Sequence, residues 1–186
     1  KLKSVPDIER FSRLALASDS FRKQDYKGAE FWLKLALESD LDKLITGIMT
    51  AWAKAGQGDV DAAFAVIDDL KGPEWYGLFK NFHRALIAEK DSRDASARES
   101  FALVIQDLSA GSAAPEAWLR GAEAYAGFLA RAGDKDAALK VLDQADEFAP
   151  GRVPIQALRM QIAGSNPVAP LVKDAVEGAS EVLLNL

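Results

Sequence analysis

Alanine recurs along this chain with a period that restricts the fold to a narrow set. Ala29 and Ala63 are 34 residues apart, Ala63 and Ala97 are again 34 apart, and Ala97 and Ala138 are 41 apart. Each alanine opens the same pattern, with a large apolar residue four places on and an apolar or small one three places after that. The four instances are Ala29-Leu33-Ala36, Ala63-Ile67-Leu70, Ala97-Phe101-Val104 and Ala138-Leu142-Ala145. The longer third interval is accounted for by "DLSAGSAAP" (107–115), which reads as a small-residue loop ending in proline. A fixed period in this range marks a repeated supersecondary unit whose faces are buried against its neighbours.

The unit reads as two helices. Upstream of each alanine lies an apolar stripe at spacing 3, 1, 3: Leu14-Ala17-Ser18-Phe21, Ile45-Ile48-Met49-Trp52, Phe79-Phe82-His83-Leu86 and Ala122-Tyr125-Ala126-Leu129. Residues three and four apart share a helix face, so each set forms one buried strip. Asp25, Asp59 and Asp134 stand where the second helix of a pair begins, where a carboxylate accepts from free N–H groups. Pro6, Pro73, Pro115 and Pro154 fall near the starts of first helices, where a missing N–H costs nothing. Abundant alanine and few β-branched residues favour helix throughout.

A 34-residue helix–turn–helix unit of this kind resembles the tetratricopeptide repeat (TPR). Repeat four carries the resemblance best, through Ala122, Tyr125, Ala126, Leu129, Gly133, Ala138, Leu142, Ala145 and Pro150. The other three depart from the family pattern, with Met49 and His83 where the family prefers Gly or Ala. The turn of repeat one reads one residue short and that of repeat two about two long. The resemblance implies an all-α, right-handed α-solenoid of antiparallel helix pairs over 10–38, 42–70, 76–108 and 117–148, in one array spanning 1–186. A C-terminal helical extension, 152–186, follows. In it Ile155, Leu158 and Ile162 form one helix face, Pro167 and Pro170 delay the next helix, and Gly178 is expected to divide that helix in two. "AWAKAG" and "VEGASEVLLNL" are similar to bacterial TPR proteins that often carry an export signal, which leaves both cytoplasm and periplasm open.

Chemistry is sparse in the sequence. Without cysteine there is no thiolate nucleophile or Cys-based metal site, and one histidine, His83, sets a low ceiling on acid–base or zinc chemistry. His83 sits on an apolar stripe and reads as a packed core residue. "AGQGD" (55–59) lies between helices with no strand before it, so it reads as a turn and not a phosphate cradle. The expectation is no enzyme, no cofactor and no metal. No apolar run approaches the length of a membrane span. A net charge of −5 argues against nucleic acid as the main partner.

The charges are distributed unevenly. In TPR arrays the first helix of each pair lines the concave face, and the residues flanking its stripe are Asp19, Arg22 and Lys23; Lys43, Thr46, Thr50 and Lys54; Lys80 and Arg84; Arg120, Glu123 and Arg131. Eight are basic and two acidic, against 23 basic and 28 acidic in the whole chain. The resemblance and this bias together imply a protein–protein or protein–peptide scaffold whose groove takes an acidic partner. The partner-binding candidates are Arg22, Lys43, Thr50, Lys54, Lys80, Arg84, Arg120, Glu123 and Arg131. The alternative is a non-catalytic structural or dimerising segment of a larger multi-repeat protein or enzyme. The apolar ending, with Val182, Leu183 and Leu186, is expected to fold back on 153–172 or to pair with a neighbouring chain; a fragment of a longer chain is the favoured origin.

Overall fold

In a computed structural model of the chain, which describes residues 6–36 and 40–185, every regular element is helical, and no strand occurs among the described residues. The order is α1 (Pro6–Arg22), α2 (Tyr26–Leu35), α3 (Asp40–Gly56), α4 (Val60–Asp69), α5 (Tyr76–Lys90), α6 (Asp94–Gln106), α7 (Leu108–Ala113), α8 (Pro115–Arg131), α9 (Lys135–Phe148), α10 (Val153–Ala163) and α11 (Ala175–Asn185). The four expected two-helix segments correspond to α1–α2, α3–α4, α5–α6 and α8–α9. Residues 37 and 38, the expected end of the first, lie outside the described residues.

The four turns inside these segments are the same turn. Gln24, Gly58, Ser92 and Gly133 each adopt a left-handed backbone, with φ of 58°, 83°, 57° and 82°. The residue after each donates its N–H to the carbonyl five positions back: Asp25 to Ser20, Asp59 to Lys54, Arg93 to Ala88 and Asp134 to Leu129, at 2.9–3.0 Å. With the bond from the left-handed residue itself to the carbonyl three back, this is a Schellman cap, which satisfies carbonyls at the end of the first helix. The expected short turn in repeat one and long turn in repeat two are therefore corrected. All four turns are three residues long, and they recur at 34, 34 and 41.

That correction moves the register of the first helices. Counting back from the shared turn, Ala17, Ala51, Ala85 and Ala126 hold one equivalent place, and all four are fully buried. Met49 and His83 are not at the small-residue position. Ala29, Ala63, Ala97 and Ala138, after the turn, are likewise fully buried. Small side chains on both helices of a pair let the backbones approach closely. Asp25, Asp59 and Asp134 cap the second helices as expected, accepting from Gly28 N at 3.0 Å, Ala62 N at 3.0 Å and Ala137 N at 3.3 Å. Arg93 stands in that place in the third segment and makes no side-chain cap.

The stretch 107–115 is not a loop. Asp107 accepts from Ala110 N at 2.9 Å and opens α7, and Gly111 lets this short helix lie on the Trp118 ring, where a Cβ would come to 2.8 Å. Its small residues thus serve close packing rather than flexibility. Trp118 itself is fully buried, 4.6 Å from Phe148 between ring centroids.

The described chain groups into two compact units, one containing residues through Tyr76 together with those from Val172, the other Gly77–Leu171. In the first, α1 packs on α2, α2 on α3 and α3 on α4, while α11 packs on α3 and α1. In the second, α8 packs on α9, α6, α7 and α10, and Phe82 of α5 and Val104 of α6 converge on Gly121 of α8. His83 is fully buried there beside Phe82, and burial lowers its pKa to about 3, so the ring is neutral.

Candidate partner-binding site

The most constrained surface in the first unit is the face of α1 and α3 that α11 covers. α3 is apolar over most of its circumference, apart from the stripe of Lys43, Thr46, Thr50 and Lys54: Leu44, Ile48, Met49, Ala51, Trp52, Ala53 and Ala55 are all buried. A helix of that kind needs partners on more than one side. α2 and α4 supply some of that cover, and α11 supplies the rest. Ala175, Ala179 and Val182 of α11 are buried, and Gly178 lies against the indole of Trp52. Ser18, Phe21 and Met49 border the same contact, with Val176, Ser180 and Leu183 opposite.

α11 begins with a reciprocal cap. Asp174 accepts from Val176 N at 2.8 Å and Glu177 N at 2.9 Å, and the Glu177 carboxylate accepts from Lys173 N at 2.8 Å. Asp174 also lies near Tyr26, whose phenol is pushed up first by burial and then by the negative charge of Asp174. Two expectations are corrected here. Gly178 does not divide the helix, because the missing Cβ is what allows contact with Trp52. The ending does fold back, but onto α1 and α3 rather than onto 153–172. Its buried strip is Ala175-Gly178-Ala179-Val182; Leu183 is half exposed and Leu186 lies outside the described residues.

The charged candidates are largely tied within the chain. Arg22 and Lys23 both pair with Asp19, at 2.7 and 2.5 Å, and these hydrogen bonds hold the Asp19 carboxyl below its usual pKa. Lys54 pairs with Glu30 at 2.8 Å, and Arg120 with Glu123 at 3.2 Å. Lys43, Thr46 and Thr50 meet at a cavity of about 560 Å³ beside Glu30, Lys34 and Lys71. The Thr46 hydroxyl donates to the Asp42 carbonyl at 2.6 Å and the Thr50 hydroxyl to the Thr46 carbonyl at 2.7 Å, so both serve their own helix.

In the second unit Lys80 and Arg84 are half-buried on α5. Arg131 is an internal tie. Its guanidinium pairs with Glu89 through Nε at 3.1 Å and through Nη2, and its Nη1 donates to the Ala169 carbonyl at 2.8 Å. Burial raises the pKa of Glu89 and the charge of Arg131 opposes the rise. The extended segment after α10 is held to α8 by this bond and by Val168 against Gly127, and to α10 by Gln161 Nε2 donating to the Pro167 carbonyl.

Sequence reasoning assigned Trp52, Met49 and Phe21 to a packed stripe and missed that a separate helix covers them. The available signal was the width of the apolar surface in "LITGIMTAWA", too broad for a helix with one buried face. Among the described residues no helix is long and apolar enough to cross a membrane. Neither family models, nor curated proteins, nor solved structures give a match to this chain.

Proposed function

We propose that this chain is a TPR-like scaffold that binds a protein or peptide along its first helices, without chemistry of its own. In this reading the helix pairs are antiparallel and follow the right-handed solenoid pattern, and each pair offers its first helix to the partner. The observation that carries it is the recurrence of one turn at Gln24, Gly58, Ser92 and Gly133, flanked each time by fully buried alanines. The first helices contribute Lys43, Lys80 and Arg84, together with Lys54 and Arg120, which pair with Glu30 and Glu123, and this basic bias makes an acidic partner the favoured one.

The test is fluorescence anisotropy with three labelled helical peptides matched in length, one acidic, one neutral and one basic. The acidic peptide should bind, and its affinity should fall as salt rises, because exposed charge pairs are screened. Equal binding of all three, or of none, rejects the reading.

The alternative, a structural or dimerising segment of a larger assembly, is favoured by one feature. Phe11 and Phe31 on α1 and α2 are 61% and 57% exposed, with Leu16 and Leu35 also exposed. Replacing Phe11 and Phe31 by serine should dissociate any dimer seen by light scattering; a mass unchanged by the replacement counts against this alternative.

A further inference from the structure

We propose that the cavity between α2, α3 and α4 binds a small carboxylate that carries an apolar body and one N–H or O–H donor. The site lies on the side of α3 away from α11. It does not depend on the scaffold reading, whose partner is a protein or peptide.

α3 has two unlike sides. Trp52 and Met49 meet α11, whereas Lys43, Thr46, Gly47 and Thr50 line the cavity. Thr50 and Trp52 are two residues apart, which on a helix places them on nearly opposite sides. The polar stripe of α3 therefore faces the second helices. α2 contributes Glu30, Leu33 and Lys34 to the lining, α4 contributes Val66 and Asp69, and Leu70 and Lys71 follow directly after it.

The lining defines the ligand. Its volume, about 560 Å³, is that of a small-molecule site. Its floor is apolar, with Leu33 fully buried and Val66 and Leu70 half-buried. Gly47 lets the Leu70 side chain lie against α3, since a Cβ there would stand 2.3 Å from Leu70 Cδ2. Lys34, Lys43 and Lys71 are exposed around this floor, against Glu30 and Asp69, and Glu30 is already held by Lys54 at 2.8 Å. That balance favours an anion whose apolar part covers Leu33, Val66 and Leu70.

The threonines add direction. The Thr46 hydroxyl spends its proton on the Asp42 carbonyl at 2.6 Å, and the Thr50 hydroxyl on the Thr46 carbonyl at 2.7 Å. Each oxygen then has only lone pairs left to offer, so a ligand reaches it through a donor of its own. A carboxylate at the lysines and an N–H or O–H at the threonines, joined by an apolar body, match every kind of group in the lining. Inorganic phosphate is a poorer match, because it leaves the apolar floor wet.

The experiment titrates the isotope-labelled chain with indole-3-acetate, 3-methylindole and tryptamine, which share one apolar body and one N–H but differ in charge. Indole-3-acetate should bind with a Kd on the order of 1 mM or below and shift amides within 30–34, 43–50 and 66–71. 3-Methylindole should bind at least about five-fold more weakly, and tryptamine more weakly still. Equal affinities, shifts confined to other residues, or no binding overturn the proposal.

Two variants separate charge from shape. Lys34→Gln with Lys71→Gln changes exposed side chains only, and should weaken indole-3-acetate about five-fold while leaving 3-methylindole unaffected. An unchanged affinity, or an equal fall for both ligands, overturns the site. Thr50→Val keeps the shape and removes the acceptor, so it should weaken indole-3-acetate and spare 1-naphthaleneacetate, which has no N–H; equal effects on the two contradict the donor. The peptide test of the scaffold reading is separate. An acidic peptide that binds while indole-3-acetate does not overturns the cavity site and keeps the scaffold; the reverse result keeps the cavity and rejects the scaffold.

Discussion

Gly178 rests on the face of the Trp52 indole, and the absence of one methyl group sets how deeply α11 sits on α3. Trp52 is fully buried, so the ring has nowhere to yield. Gly178→Ala gains helix propensity, yet it forces a carbon into the ring, and overpacking of this kind costs about 1–3 kcal/mol. The net result should be a destabilised protein in urea unfolding. Unchanged or increased stability would mean that α11 rides higher on the ring than described.

The repeated turn yields a second prediction. Ser92 and Gln24 adopt a left-handed backbone that disfavours residues with a Cβ, whereas Gly58 and Gly133 meet the same demand without strain. Ser92→Gly should stabilise by up to about 1 kcal/mol, and Gly58→Ala should destabilise by a similar amount. A Cβ at Gly58 meets nothing within 4 Å, so that loss reports backbone strain alone. Arg93→Asp should restore the cap present in the other three segments and add about 1 kcal/mol. Chemical denaturation of the single variants measures all three.

Arg131 and Glu89 form a pair with side chains 23% and 12% exposed. Removing the cation leaves a poorly hydrated carboxylate, so Arg131→Met should cost on the order of 2 kcal/mol, less than a fully buried pair. Adding Glu89→Leu should recover more than half of that loss, since the carboxylate no longer lacks its partner. A double variant no more stable than the single one would show that the bond from Arg131 to the Ala169 carbonyl, and not the ion pair, dominates.

His83 gives the chain a specific pH dependence. Its folded pKa is lowered to about 3 by burial, so below its ordinary value near 6.5 the unfolded chain binds the proton and the folded one does not. The stability that neutral His83 permits is therefore complete above pH of about 6.5 and falls as pH drops, with a slope approaching about 1.4 kcal/mol per pH unit. His83→Gln should remove that component. The difference between the two proteins' unfolding free energies, followed from about pH 4 to 6, isolates it; parallel curves would contradict a buried neutral imidazole.

The helix pairs were legible because alanine periodicity and the aspartate caps are local signals. Asp25, Asp59 and Asp134 each mark a helix start through their own side chains. The register of the first helices was less legible, because Gln24 and Ser92 occupy left-handed positions that glycine usually announces. Without those markers, the stripes at Met49 and His83 were read in place of Ala51 and Ala85. The seat of α11 was not legible at all. It depends on Gly178 meeting Trp52, a pairing 126 residues apart that no local pattern encodes. The charged candidates were named from one helix at a time, so the carboxylates that tie them, Glu30 for Lys54 and Glu89 for Arg131, were out of view.

Under the proposed function, partners are held on the first helices. Isotope-labelled chain titrated with an acidic helical peptide, and followed by amide chemical shifts, tests it most directly. The largest shifts should fall within 6–22, 40–56, 76–90 and 115–131. Shifts confined to the second helices, 26–35, 60–69, 94–106 and 135–148, or no shifts at saturating peptide, would contradict the account.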